Sequence, residues 1–347
     1  MKRKANGSRS LADAPEGEAG CRTRRSLPYI AKMAAGMFAS RVFGRHRPLM
    51  VNIETTHRCN LDCTYCDKSR ANSPQMELGA GLRVIDELAS LGTISVCFDG
   101  GEPLFHPDIE HFVRRAKSHA MRVSMSTNGH LIKHKPKVLP FVDMVKISVD
   151  GPAPVHDAGR GKGSFEQAVE GAQLALQAGC KVALRMTLAE HNVANYRDVL
   201  ALAKQLKVQA LFQPAIGSIM NAADAPSTHS ANATAYRAAI DDLKRLKALG
   251  EPVANEKLCL DHLRSWPTPK PVPFCSGGRV EVAIGPDGCL FPCGRVGRDR
   301  QAPNVFALGV AEAFKIMQRP ADCCNCWCTL TLSACYQYRG DLRLLCG

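Results

Sequence analysis

Between positions 50 and 213 the chain switches repeatedly between two hydrophobic periods. Short apolar or alternating runs at 50–55, 94–98, 122–125, 144–149, 181–186 and 210–213 read as strands, and stretches of helical period fill the gaps at 76–91, 107–119, 133–139, 164–178 and 194–206. Connections of that length join parallel strands by right-handed crossovers. The pattern predicts an α/β fold, a partial (β/α)6 TIM-type barrel with six units where a full barrel has eight, and leaves a doubly wound open sheet as the alternative. In both, ligands bind at the C-terminal ends of the strands, so the loops after those ends are where chemistry is sought.

The flanks read differently. Residues 1–26 are polar and aperiodic and are expected to be disordered, whereas 27–43 place Ile30, Met33, Ala34, Met37, Phe38 and Val42 at helical spacing. That helix is expected to pack on its own domain, with weak contact to a membrane surface as the other use of such a face. Residues 214–232 read as a linker or lid, 233–249 as a helix, and the proline-rich 266–273 as a boundary. Beyond it, 279–284, a Gly-Pro-Asp-Gly turn and 289–293 predict a hairpin. The expected organisation is a basic extension (1–48), a core (49–230), a helical linker (231–265) and a small cysteine-rich α+β domain (266–347).

Composition narrows the function. A chain of 347 residues buries a core without disulfides, so its 16 cysteines need another reason. The N-terminus has no signal-peptide pattern and no apolar run approaches the roughly 18 residues of a membrane span. A cytoplasmic, reducing location and metal ligation are the expectation. The net charge of +13 is concentrated in residues 1–48, with eleven Lys/Arg against three acids. Such an arm is a solvated tail or a contact for an acidic partner. A nucleic-acid-modifying enzyme is the alternative, but aromatics are 6% of the chain and are not interleaved with the basic stretches as a stacking platform requires.

The loop after the first strand reads His57-Arg58-Cys59-Asn60-Leu61-Asp62-Cys63-Thr64-Tyr65-Cys66. Three thiols at C-x3-C-x2-C are one short of a closed four-ligand site and would leave one iron of a cluster open. After the second strand, Gly100-Gly101-Glu102-Pro103 sets a carboxylate beside two glycines that admit a ligand close to the backbone. Ser126 and Asn128 come at the end of the third strand, Ser148 and Asp150 at the end of the fourth, and Arg185 lies on the fifth.

With these motifs in this order, residues 49–213 resemble the radical S-adenosylmethionine (SAM) enzymes. The resemblance implies that Cys59, Cys63 and Cys66 bind a [4Fe-4S] cluster whose open iron takes SAM. It also implies that Gly101 and Glu102 hold the SAM ammonium, Arg185 its carboxylate, and Ser148 and Asp150 the ribose. Gly100, Pro103, Ser126 and Asn128 complete the expected cofactor site, and Tyr65 is expected near the adenine. The expected chemistry is reductive cleavage of SAM to a 5′-deoxyadenosyl radical that abstracts a hydrogen atom. A non-catalytic metal scaffold is the reading it displaces.

A second resemblance lies at the C-terminus. Cys275-x12-Gly288-x4-Cys293 is similar to the opening of the Twitch and SPASM extensions, and Cys323-x2-Cys326 would complete four ligands of one auxiliary [4Fe-4S] cluster. The continuation of a full SPASM pattern fails at Leu332, although Cys324, Cys328, Cys335 and Cys346 remain available; structural zinc is the alternative occupant. Together the two resemblances imply an oxidoreductase or maturase acting on a peptide or small natural product, with an acidic electron donor such as flavodoxin or ferredoxin and no nucleic-acid partner.

Overall fold

The computed structural model describes residues 27–68, 75–216, 229–272, 274–294, 302–319 and 326–340. Its elements in chain order are α1 (Leu27–Phe43), β1 (Met50–Thr56), α2 (Leu78–Ser90), β2 (Ser95–Gly100), α3 (Ile109–Ser118), β3 (Arg122–Thr127), β4 (Met144–Ser148), α4 (Ala153–Arg160), α5 (Ser164–Gln177), β5 (Lys181–Leu188), α6 (Tyr196–Gln205) and β6 (Gln209–Pro214). They continue with α7 (Ala233–Ala248), α8 (Lys257–Leu263), β7 (Glu281–Ile284), β8 (Leu290–Phe291), α9 (Val305–Leu308), α10 (Val310–Ile316) and α11 (Thr329–Arg339).

Strands β1 to β6 are parallel and neighbours in sequence order, as the alternating pattern predicts for a partial barrel. Each helix is fixed to the sheet by a narrow apolar face. In α3 the buried positions are Ile109, Phe112, Val113 and Ala116, the i, i+3, i+4, i+7 stripe of one helix side. These meet Val84, Ile85 and Leu88 of α2 and Val96 and Phe98 of β2 in one continuous core. The crossover expected as a helix at 133–139 is instead two 3-10 turns, Ile132–His134 and Pro136–Phe141, because Pro136 and Pro140 cannot sustain an α-helical ladder.

One feature goes beyond what the hydrophobic pattern predicts. The C-terminal hairpin does not stand apart: β7 pairs parallel with β1, from Met50↔Glu281 to Ile53↔Ile284, and β8 closes antiparallel on β7, so one sheet runs β6-β5-β4-β3-β2-β1-β7-β8. The strand that leads into the Cys59 loop is thereby buried between two neighbours. Helix α1 also packs on the domain. Met33 and Met37 join Leu49, Val280 and Tyr338 in a second small core, and Ser40 Oγ lies 3.2 Å from the Tyr338 hydroxyl of α11. No described helix is long and apolar enough to cross a membrane. The expected tail at 1–26 and most of the expected lid, residues 217–228, lie outside the described residues.

Candidate functional site

The loop after β1 is held from below before it reaches its first cysteine. Thr56 Oγ1 accepts from the Arg58 amide at 3.1 Å, and buried Glu54 takes His57 Nε2 at 2.8 Å and Lys68 Nζ at 3.0 Å, tying the two ends of the loop to one carboxylate. From the side, Thr64 N donates to Gly159 O of α4 at 3.0 Å, and within the loop Cys66 N donates to Cys63 O at 3.1 Å.

The Gly-Gly-Glu-Pro loop after β2 lies directly against it. Gly101 N donates to Thr56 O at 2.8 Å and Glu102 N to Arg58 O at 2.9 Å. This contact is why both glycines are needed. A Cβ on Gly101 would sit 2.4 Å from His57 O and 2.3 Å from Arg58 O, and Gly100 has φ +138°, with a Cβ 2.1 Å from Thr56 O.

One cavity of about 210 Å³ opens above these loops at the C-terminal ends of the strands. Of the residues singled out by sequence, Cys59, Cys63, Tyr65, Cys66, Gly100, Gly101, Ser126, Asn128, Ser148 and Arg185 all line it. Asn128 Nδ2 points to the Cys59 sulfur at 3.8 Å and Arg160 to the Cys63 sulfur at 3.9 Å. Arg185 is steadied by Gln213 at 2.8 Å. Asn52 also lines the cavity, and its buried side-chain oxygen has no hydrogen-bond partner among the described residues. An unpartnered acceptor of this kind is satisfied by a bound group.

Glu102, Pro103 and Asp150 are not among the residues that line the cavity. Pro103 is buried in a short 3-10 turn. The Glu102 carboxylate is fully buried beneath the loop, accepting from Leu104 N at 3.1 Å, Thr127 Oγ1 at 2.7 Å and Asn128 N at 2.8 Å. Burial pushes its carboxyl up to about 7, against the pull of these donors. Its side chain fixes the β2 and β3 loop ends that face the cavity.

Asp150 is likewise fully buried, within a hydrogen-bonded network. It accepts from Arg160 Nε at 2.5 Å, from Thr187 N at 3.0 Å and from the Tyr65 hydroxyl, to which Arg160 also donates. Burial opposes its charge, but the Arg160 guanidinium outweighs that and holds the carboxyl below its usual range. Through this network Asp150 and Arg160 set the position of Tyr65 between the second and third cysteines. Arg160 escapes a reading of the sequence because α4 is only eight residues long, with a proline and a glycine, and carries no periodic signal.

The three cysteines are free thiols that crowd one another. Burial, with Glu102, Cys63 and Cys66 adding to it, pushes Cys59 up to about 12, and burial also raises Cys63. Metal binding relieves such crowding by taking the thiolates. Among the described residues no three His, Cys, Asp or Glu side chains close on a single ion. Three thiols with donors aimed at two of them, an adjoining Gly-Gly backbone and an orphaned acceptor suit a cluster with an open position and a polar ligand beside it.

The C-terminal cysteines gather at a second place. Cys335 of α11 is in contact with both Cys275 and Cys326. Cys293 stands across Gly277 from Cys275, and its charge is felt at Cys326. Contact with Cys335 and burial push the Cys275 thiol far above its ordinary value. Cys323, expected as a ligand, lies outside the described residues, as do Cys324 and Cys346. Cys335, nine residues beyond Cys326 and inside a helix, fits no pair spacing and is legible in the sequence only as an available thiol. Gly294 and Cys328 from this region line the first cavity, so the C-terminal segment forms part of its wall.

Residues 53–206 match the family model of the Radical SAM superfamily. Over 282 residues the chain is 32% identical to mycofactocin maturase MftC of Mycobacterium ulcerans, covering 77% of this chain and 74% of that protein. The chain belongs to the radical SAM superfamily. With that membership come the superfamily's [4Fe-4S] cluster and SAM. Another relative is the Fe-coproporphyrin III synthase of Methanosarcina barkeri, 33% identical over 173 residues, 48% of this chain and 43% of that protein. The chain spans 43% and 42% of the first two curated relatives it matches. Among solved structures, Streptococcus suis SuiB bound to precursor peptide SuiA superposes with a TM-score of 0.64 at 14% identity, over 88% of this radical SAM chain and 74% of SuiB. The anSMEcpe structure with bound AdoMet and Kp18Cys peptide gives 0.60 at 18%, over 77% and 80%. At these identities the likeness establishes the shared fold.

Proposed function

We propose that this protein is a radical SAM maturase that acts on a peptide. The observation that carries the reading is the single cavity in which the three loop cysteines, the Gly-Gly backbone and the strand-end residues Ser126, Asn128, Ser148 and Arg185 face a wall contributed by the C-terminal segment. The curated relatives matched along both barrel and C-terminal region include mycofactocin maturases, 32% identical over 77% of the chain in one case, and this favours a peptide over a tetrapyrrole.

In this reading Cys59, Cys63 and Cys66 hold the [4Fe-4S] cluster. The Gly100-Gly101 backbone receives the SAM amino acid moiety, Arg185 its carboxylate and Ser148 the ribose. When bound, the cluster and SAM supply a carbon radical able to remove an unactivated hydrogen atom. The chain's own tasks are to orient SAM and exclude water. Tyr65, locked by Asp150 and Arg160, borders the cavity, and Pro214, Ala215 and Ile216 give it an apolar rim. Cys275, Cys293, Cys326 and Cys335 hold an auxiliary [4Fe-4S] cluster, with Cys335 in the place expected of Cys323. The electron donor is an acidic flavodoxin or ferredoxin that meets the basic surface, so reduction slows as salt rises.

Co-expression with the short peptides encoded beside the gene, followed by mass spectrometry, tests the substrate class. A mass change in one peptide that disappears with Cys59→Ala is expected. An unchanged peptide, with 5′-deoxyadenosine formation stimulated by iron coproporphyrin, would contradict it.

A further inference from the structure

At the second cysteine cluster a partly buried carboxylate stands without a counter-charge. Glu281, the first residue of β7, is partly buried, and among the described residues no cation pairs with it. Its two partners are neutral hydroxyls: Ser276 Oγ donates at 2.8 Å and Thr331 Oγ1 at 2.7 Å. Both belong to segments that carry the thiols. Ser276 comes directly after Cys275, and both its amide and its hydroxyl oxygen lie 3.3 Å from the Cys335 sulfur. Thr331 is one turn before Cys335 on α11.

A hydrogen-bonded pin between two segments needs no charge; a glutamine would accept from the same hydroxyls. Drawing a carboxylate part-way out of water costs free energy that two neutral donors only partly offset. The charge acts on the sulfurs of Cys275, Cys326 and Cys335, for Ser276, which holds the carboxylate, follows Cys275 and has its hydroxyl 3.3 Å from the Cys335 sulfur. Iron–sulfur potentials respond to net charge, to hydrogen bonds on the sulfurs and to exclusion of solvent. The first two are set here by the same few residues.

We propose that Glu281 is a positioning residue that holds the auxiliary cluster at a low reduction potential, its negative charge acting on the cluster from beneath Ser276 and Cys335. A fixed anion at this place disfavours the reduced, more negative form of the cluster. Once reduced, the cluster is correspondingly a stronger donor to whatever takes its electron. The inference rests on the reading of Cys275, Cys293, Cys326 and Cys335 as cluster ligands.

The test uses the full chain carrying Cys59→Ala, Cys63→Ala and Cys66→Ala, reconstituted with iron and sulfide so that only the auxiliary site is loaded, with and without Glu281→Gln. Redox titration monitored by electron paramagnetic resonance reads the midpoint potential of each. The expected result is equal iron in both chains and a midpoint shifted to higher potential by the glutamine. Equal iron with an unmoved midpoint overturns the proposal while leaving the auxiliary cluster in place. Absence of iron from the triple-alanine parent overturns the ligand reading itself, and the proposal with it. Should the glutamine chain lose its iron, Glu281→Asp decides the matter: iron retained near the parental potential supports the charge, and iron lost with the charge kept shows that shape alone was needed.

Discussion

At the scale of single residues, the site depends on groups with no freedom to change. Gly101 is the clearest, because the carbonyls its Cβ would strike, His57 O and Arg58 O, are backbone and cannot rotate away. Gly101→Ala must push apart the two loops that meet there, at a cost of about 1–3 kcal/mol. We expect SAM binding, measured by equilibrium dialysis on the reconstituted protein, to weaken about ten- to a hundredfold. Arg160 makes a different prediction. Removing it with Arg160→Met leaves Asp150 charged, buried and unpaired, and breaking such a pair costs about 3–5 kcal/mol. Denaturant unfolding should show that loss, and Asp150→Asn in the same chain should recover part of it.

The contrast between these two residues explains what can be read from sequence. Gly101 announces itself in a run of four residues. Arg160 matters only because α4 returns it to the cysteine loop, and the burial of Glu102 and Asp150 is not legible, because sequence cannot say on which side of a loop a carboxylate points. Cys335 is hidden for a related reason: a thiol inside a helix becomes a partner of Cys275 only once α11 is docked.

At the scale of elements, the six parallel strands and most of their helices are legible because each alternates period over a length that no loop imitates. The placement of the C-terminal hairpin is not, since a strand pattern does not say which sheet edge it joins. Its pairing with β1 buries the strand that leads into the Cys59 loop and fixes that loop from one more side. Helix α1 carries a testable consequence of the same kind. Met33 is fully buried against Leu49, Val280 and Tyr338, so Met33→Ala should lower stability by about 2–4 kcal/mol in thermal or chemical unfolding. A neutral effect, with vesicle binding reduced, would instead assign this face of the helix to a membrane surface.

At the scale of the whole molecule, one sheet carries both cysteine clusters. β1 leads to Cys59, Cys63 and Cys66; its neighbour β7 begins at Glu281, beneath Cys275 and Cys335. This arrangement explains why the C-terminal region supplies Gly294 and Cys328 to the wall of the first cavity. The central claim is that the chain cleaves SAM at the barrel cysteines and holds a second cluster elsewhere. Its most direct test is anaerobic reconstitution, then iron counting and 5′-deoxyadenosine assay with dithionite, on the parent chain and on Cys63→Ala. The account predicts about eight irons per parent chain, about four in the variant, and 5′-deoxyadenosine formed by the parent alone. Undiminished 5′-deoxyadenosine from Cys63→Ala, or none from a fully loaded parent, would contradict it.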